Sequence, residues 1–375
     1  MAPSSSKKFR VLVVDDSAFM RKVLETIFNA DDQLQVVGQA KDGREAITLA
    51  ESLKPDVITM DINMPHVDGL QATAQIMTTN PRPIVIVSSE SREGAASTLK
   101  ALELGAIEFV AKPSSGIDLD MQSVKDDLLR KVRMAAKVRV VRTASRLAST
   151  VQGLAGSVPP AAPPAGPKRP QAAPLDQRFP MVVLGASTGG PATVMRLAPG
   201  FTRDFPAAVF LVQHMPAAFT TQYAAQLAEF TSIRVKEAEP NETIQPGTLY
   251  ICPGAQHLRV TPTGRIQLDS TSGRINGYLP CIDVTMETVA AYAGAMSIGA
   301  VLTGMGNDGA AGAKAIQAAS GLVIAQDEAT SVIFGMPAEA IKGGAVDQVL
   351  SIDDIYAAIE KRVIGICRAT PVGVK

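Results

Sequence analysis

The sequence predicts two α/β units, each built on a mainly parallel sheet with helices packed against it, joined by an extended segment. Three observations carry this. Short apolar runs alternate with helical stretches, the pattern of βα repeats. The polar residues of chemical interest stand just after those runs, and a parallel sheet gathers the carboxyl ends of its strands on one edge. Between Val158 and Pro174 the chain reads "VPPAAPPAGPKRPQAAP", which cannot bury a core and is held extended by its prolines. The expected division is a first domain over 9–138, a flexible Pro/Ala-rich linker over 139–178 and a second domain over 179–369.

Composition narrows the function classes. The chain's 375 residues suffice for two or three domains with real cores. Lys+Arg and Asp+Glu both number 36, so no global field draws the protein to nucleic acid or an anionic membrane. The three cysteines, Cys252, Cys281 and Cys367, lack metal-ligand spacing, and their odd number argues against a disulfide framework. No apolar run approaches membrane-spanning length, and "MAPSSSKKFR" is followed by no signal-like apolar core. The expectation is a cytoplasmic protein without direct membrane insertion.

In the first domain, strands are expected at Val11–Val14, 36–39, 57–59, 84–87 and 107–110, with helices at Ala18–Asn29, 43–52 and 95–104. Asp15 and Asp16 follow the first strand, Asp61 the third, Ser88 the fourth and Lys112 the fifth. Three carboxylates converging on one edge repel one another unless a cation sits among them. A hard divalent ion such as Mg²⁺ suits such a site, particularly one that also receives a phosphate. The plainer alternative, loop aspartates capping helices, does not explain why five polar residues share an edge. The motifs "VVDDSAFMR", "DINMPHVDG", "IVSS" and "FVAKP" resemble the receiver domain of two-component response regulators, a flavodoxin-like five-stranded doubly wound fold. That resemblance implies that Asp61 accepts a phosphoryl group from a histidine kinase. It also implies that Asp15, Asp16, Asp61 and the backbone carbonyl of Asn63 hold Mg²⁺, that Ser88 and Lys112 contact the phosphoryl oxygens, and that Phe109 is the aromatic switch.

The second domain opens with "VVLGASTGG", an apolar strand running into Ser187. "GASTG" fits the G-x-S-x-G nucleophile elbow, with a helix expected from Pro191, but glycine-rich strand-to-helix turns also bind phosphate or merely turn. Two histidines belong to this domain. His214 follows the run "AVFLVQ" and so stands on the same strand edge as Ser187, whereas His257 enters a hairpin turning at Pro262–Gly264 and reads as structural or rim-lining. "SIGAVLTGMGNDGA" gives a third strand, Ile298–Leu302, and a loop carrying Asp308, which also suits a turn or an N-cap for a helix over Ala311–Ala319. Serine, histidine and aspartate leaving strand ends on one face have the makings of a triad. The chain order Ser187, His214, Asp308 is not that of an α/β-hydrolase, so the elbow pattern does not assign that fold.

Taken together, "GASTGG", "QHMP", "LTGMGNDGA" and "AQDEATSVIFGMPAEAI" behind the receiver look like the chemotaxis response-regulator methylesterases, the CheB family. The resemblance implies a Rossmann-like catalytic domain that hydrolyses glutamate methyl esters on methyl-accepting chemoreceptors, releasing methanol, with glutamine deamidation in many members. It implies Ser187 as nucleophile, His214 as base and Asp308 as orienting acid, with Thr188 and Met305 near the oxyanion and substrate. No cofactor is implied for the ester hydrolysis, and the unphosphorylated receiver is expected to cover the active-site face.

Three loops depart from the family pattern: "FTTQYAAQL" lacks a common basic residue, "YLPCIDVTM" carries Cys281 where serine is usual, and "AEPNET" replaces an acidic turn. The basic run "LLRKVRMAAKVRVVRTASR" is expected to be a solvated helix continuing from the receiver. A nucleic-acid-binding output lacks a recognition element, and a nucleotide-binding output lacks a Walker lysine. The remaining alternative is a receiver-controlled scaffold with a vestigial triad.

Overall fold

The computed structural model describes residues 8–88, 92–112, 121–138 and 178–369. Nearly all of the expected linker lies outside the described residues. The first sheet comprises β1 (Phe9–Val14), β2 (Leu34–Ala40), β3 (Val57–Met60), β4 (Ile84–Ser88) and β5 (Glu108–Ala111), in the order β2-β1-β3-β4-β5 with every pair parallel. Helices α1 (Ala18–Asn29), α2 (Gly43–Leu53), α3 (Gly69–Thr79), α4 (Arg92–Glu103) and α5 (Met121–Ala135) connect and flank it. This is the doubly wound order whose switch point lies between β1 and β3. Val11 and Val13 enter one core and Leu12 and Val14 the other, as the two-residue strand period requires of a sheet covered on both faces.

The second sheet has seven strands, all parallel, in the order β14-β13-β12-β6-β7-β9-β8. They are β6 (Met181–Ala186), β7 (Ala208–Gln213), β8 (Arg234–Glu237), β9 (Thr248–Ile251), β12 (Ser297–Val301), β13 (Leu322–Gln326) and β14 (Gln348–Leu350). An antiparallel hairpin, β10 (His257–Val260) with β11 (Ile266–Asp269), stands apart from this sheet and turns where the sequence predicted. The helices are α6 (Gly190–Leu197), α7 (Ala217–Leu227), α8 (Ile282–Ala293), α9 (Ala310–Ala318), α10 (Met336–Lys342) and α11 (Ile352–Ala369). Central strands are buried throughout, and Val182 and Leu184 face a different core from Met181 and Val183. β6 lies between β7 and β12; the chain passes from β6 to β7 on one side and from β12 to β13 on the other, which opens a crevice at the carboxyl ends of β6 and β12.

One apolar cluster runs continuously from the receiver into the second domain, joining Ala95, Leu99 and Phe109 to Phe219 and Tyr223. The expectation of a merely solvated basic helix needs correcting. In α5, Leu128, Leu129, Val132 and Ala135 are buried against the first sheet. Its cations are engaged: Lys131 donates to the Phe109 carbonyl at 2.9 Å, and Arg133 pairs with Asp31 at 3.1 Å. The periodic apolar positions between the charges bury one face; the run beyond Val138 lies outside the described residues.

Candidate active site

The crevice at the carboxyl end of β6 holds the residues singled out in the second domain. Ser187 immediately follows β6, and its N–H donates to the Thr303 carbonyl beyond β12 at 3.0 Å. His214 follows β7, with its N–H on the Ala186 carbonyl at 3.1 Å. Gln213 ties the two loops together: its Nε2 donates to the Ser187 carbonyl at 2.9 Å and to the His214 carbonyl at 3.3 Å. Thr303 does the same from the other side, donating from Oγ1 to the Thr188 carbonyl at 3.0 Å. Gly304 is packed so closely that a Cβ there would lie 2.7 Å from Ser187 Cβ and 2.3 Å from Met336 Sδ, so only glycine fits beneath the serine.

His214 and Asp308 are in direct contact, with Nε2 2.8 Å from Oδ2; the aspartate side chain is wholly buried and the imidazole mostly so. Asp308 is further satisfied by the Ile282 N–H (2.7 Å), the Asp283 N–H (3.0 Å), the Gly309 N–H (3.1 Å) and the Cys281 thiol (3.2 Å). Burial opposes its charge. The His214 hydrogen bond and charge, with the Ile282 and Asp283 N–H groups, outweigh that penalty and hold the carboxyl below its ordinary range. Cys281 is fully buried, and burial and then the Asp308 charge push its thiol far up.

The alternative of an N-cap role for Asp308 on the following helix is not the arrangement found. Gly309, not Asp308, caps α9, without a side-chain bond. Asp308 instead accepts the leading N–H groups of α8, while Asp283, in the first turn of α8, accepts the Gly309 and Gly312 N–H groups of α9 at 2.9 and 2.7 Å. The two helices thus exchange caps, each carboxylate at the positive end of the other's helix. Burial, then the neighbouring Asp308 charge, raise Asp283 to about 6 despite those donors.

Thr188 is buried and Met305 half-buried on the loops beside Ser187. Ser187 is half-buried, and its hydroxyl makes no hydrogen bond among the described residues, to His214 or to any other group. His257 is fully buried, with Nδ1 accepting the Cys281 N–H at 3.1 Å and Nε2 donating to the Gly273 carbonyl at 2.8 Å, which is a structural role. One neighbour had no signal in the sequence: Tyr278 stacks on His214, with centroids 4.9 Å apart and planes 18° apart.

In the receiver the carboxylate oxygens of Asp15, Asp16 and Asp61 lie within 4.8 Å of one another. Lys112 Nζ reaches Asp61 at 2.8 Å and Asp15 at 3.0 Å, and Asp15 Oδ2 is buried without an aligned hydrogen bond. Three carboxylates presenting hard oxygen donors within that span fit Mg²⁺. Burial, reinforced by the Asp15 charge, raises the Asp61 carboxyl even against Lys112. Ser88 is buried at the end of β4, its carbonyl accepting the Lys112 N–H at 2.8 Å, while Asn63 is exposed in the loop after Asp61.

The receiver meets the second domain beside this crevice. Phe109 and Phe219 pack with centroids 4.4 Å apart at 31°, and Gln226 donates to Glu103 at 3.3 Å. Arg130 Nη1 lies 3.8 Å from Met305 Sδ, placing a receiver side chain on the loop that carries Asp308.

Fold and site define a class, a receiver-linked α/β hydrolase. Residues 11–122 match the response regulator receiver domain, and residues 182–359 match the CheB methylesterase domain. A protein-glutamate methylesterase/protein-glutamine glutaminase of Pyrococcus horikoshii is 41% identical over 96% of this chain and 95% of its own. A relative of the same name from Symbiobacterium thermophilum is 41% identical, covering 97% and 99%. One from Nitratidesulfovibrio vulgaris is 42% identical, covering 93% and 98%. The chain belongs to the CheB-type protein-glutamate methylesterase/protein-glutamine glutaminase family. Among the described residues no helix is long and apolar enough to cross a membrane.

Proposed function

We propose that this protein is a cytoplasmic, phosphorylation-activated serine hydrolase that removes methyl groups from glutamate esters on methyl-accepting chemoreceptors and deamidates receptor glutamines. The bond between His214 Nε2 and Asp308, on the strand edge that also carries Ser187, supports this best. With Nε2–H donated to the carboxylate, Nδ1 is left with its lone pair to take the Ser187 proton. The serine oxygen attacks the ester carbonyl, and the tetrahedral oxyanion forms against the N–H groups of the Thr188 and Met305 loops. His214 then returns the proton to the departing methoxide, releasing methanol, or to the departing amine, releasing ammonia. Water, deprotonated by the same imidazole, hydrolyses the acyl-serine to free glutamate. Asp308 fixes the tautomer and steadies the imidazolium.

In the receiver, Asp61 is the phosphoryl acceptor for a histidine kinase of the chemotaxis type. Asp15, Asp16, Asp61 and the Asn63 carbonyl would hold Mg²⁺, which supplies charge neutralisation at the phosphoryl oxygens. Lys112 and Ser88 would bind those oxygens. The Phe109–Phe219 and Arg130–Met305 contacts support a receiver that limits access to the crevice until Asp61 is phosphorylated. The test is methanol release from methylated receptor membranes by the wild type and Ser187→Ala, with and without acetyl phosphate and Mg²⁺. Release that disappears in the variant and rises with the phosphodonor is expected. Equal background release from both proteins would leave a scaffold with a vestigial triad.

A further inference from the structure

Tyr278 belongs to neither the expected triad nor the receiver contact, yet it lies flat on His214, ring centroids 4.9 Å apart and planes inclined by 18°. Its position is fixed from two sides. Ile275 and Tyr278 exchange backbone hydrogen bonds of 3.0 and 2.9 Å across the two-residue turn Asn276–Gly277, whose φ angles of 53° and 88° suit a hairpin turn of the primed type. At its far end the phenol donates to Asn307 Oδ1 and accepts the Asn307 N–H, both at 3.3 Å. The backbone beneath is shaped to the hydroxyl: Gly306 has φ +91°, and a Cβ there would lie 2.0 Å from the Tyr278 oxygen. A ring resting on the surface by chance has no need of a hairpin, two hydrogen bonds and a cut-away glycine.

We infer that Tyr278 is a positioning residue for the ester hydrolysis, holding the His214 imidazole in plane while Asp308 fixes its rotation within that plane. The inference rests on the Ser187–His214–Asp308 reading. Asp308 grips one edge atom and leaves the ring free to tilt about that bond. The flat phenol closes one face and opposes the tilt. The consecutive residues Asn307 and Asp308 therefore secure both partners of the histidine, one through the tyrosine and one directly. When the imidazole takes the serine proton, the aromatic face also meets a cation, which it favours over the neutral ring. The phenol performs no proton transfer; its hydroxyl serves as an anchor.

The experiment compares the full-length wild type, Tyr278→Phe and Tyr278→Leu, measuring methanol release against receptor concentration and the rate of active-serine labelling by a fluorophosphonate. Tyr278→Leu is expected to lower kcat and the labelling rate about 10–100-fold with KM within about 2-fold, as for a mispositioned catalytic group. Tyr278→Phe, which keeps the flat face, is expected to retain at least about one third of kcat. Should Tyr278→Leu melt early, Tyr278→Met, with similar bulk and no flat face, takes its place with the same expectation. A kcat for the aliphatic variant within about 2-fold of wild type, or a change in KM alone, overturns the inference. Ser187→Ala and His214→Ala run alongside. Loss of activity in both with an unaffected aliphatic variant refutes only the role of Tyr278, whereas activity surviving in both refutes the triad on which it rests.

Discussion

Phe109→Ala should switch on the unphosphorylated enzyme. Phe109 is 3% exposed and Phe219 1% exposed, and their rings pack against each other across the contact between the domains. An aromatic pair contributes about 0.5–1.5 kcal/mol beyond burial, and re-exposing the covered part of Phe219 adds about 1 kcal/mol. Some of the truncation cost falls on the receiver's own core and cancels between covered and open forms, leaving about 2 kcal/mol favouring separation. That is about a 30-fold shift in the closed-to-open ratio. Basal methanol release should rise towards, and not beyond, the rate reached with acetyl phosphate and Mg²⁺, and stimulation by the phosphodonor should shrink to match. Phe109→Leu, which refills volume without the ring, should fall between. A basal rate and a stimulation both equal to wild type, in a variant whose receiver still melts cooperatively, would refute the claim that this contact holds the domains together.

Three further outcomes follow from the catalytic domain. Asp308→Asn turns an amide NH₂ towards the backbone donors of α8 and deprives His214 of its anion; kcat for methanol release should fall about 10³–10⁴-fold, and the melting temperature should drop as well. Gly304→Ala sets a methyl group against Ser187 Cβ and Met336 Sδ, so overpacking of about 1–3 kcal/mol should appear in denaturant melts together with slower fluorophosphonate labelling of the serine. Asp283→Asn keeps an oxygen for the Gly309 and Gly312 N–H groups and removes the buried like charge. A carboxyl raised to about 6 holds its proton in the fold after the unfolded chain has lost it, so wild-type stability falls between about pH 4 and 6. Melts at pH 4.5 and 7.5 should therefore show the variant gaining about 1–3 kcal/mol on wild type at the higher pH, and a constant difference would count against this account.

The parts of the molecule legible in its sequence share a physical cause. Buried parallel strands need apolar side chains on both faces, so β1, β6, β7 and β12 read directly as runs of Val, Leu, Ile and Ala. Ser187, His214 and Asp308 were legible because each follows such a run, and parallel strands place their carboxyl ends on a common edge. Edge strand β8, "RVKE", escapes that logic because it is half solvated. That Asp308 caps α8 and not α9 was likewise hidden: local spacing offered α9, while tertiary packing brought α8 closer. Tyr278 and Asp283 were silent for the same reason, since their partners are reached through folding across a loop and between helices, with no periodicity to mark them.

The exchanged caps have a consequence for how members of this fold decay. Asp308 anchors the beginning of α8 as well as gripping the histidine, so a chain relieved of any need for catalysis would still lose stability by discarding it. Ser187 carries no comparable debt: its hydroxyl is unengaged among the described residues, and alanine fits where serine does. Mutational drift in an inactive descendant should therefore erase the serine first and leave the aspartate standing, like a foundation stone outlasting the door it once framed. Survival of the acid alone is weak testimony to a working enzyme, and the hydroxyl over Gly304 is the better witness.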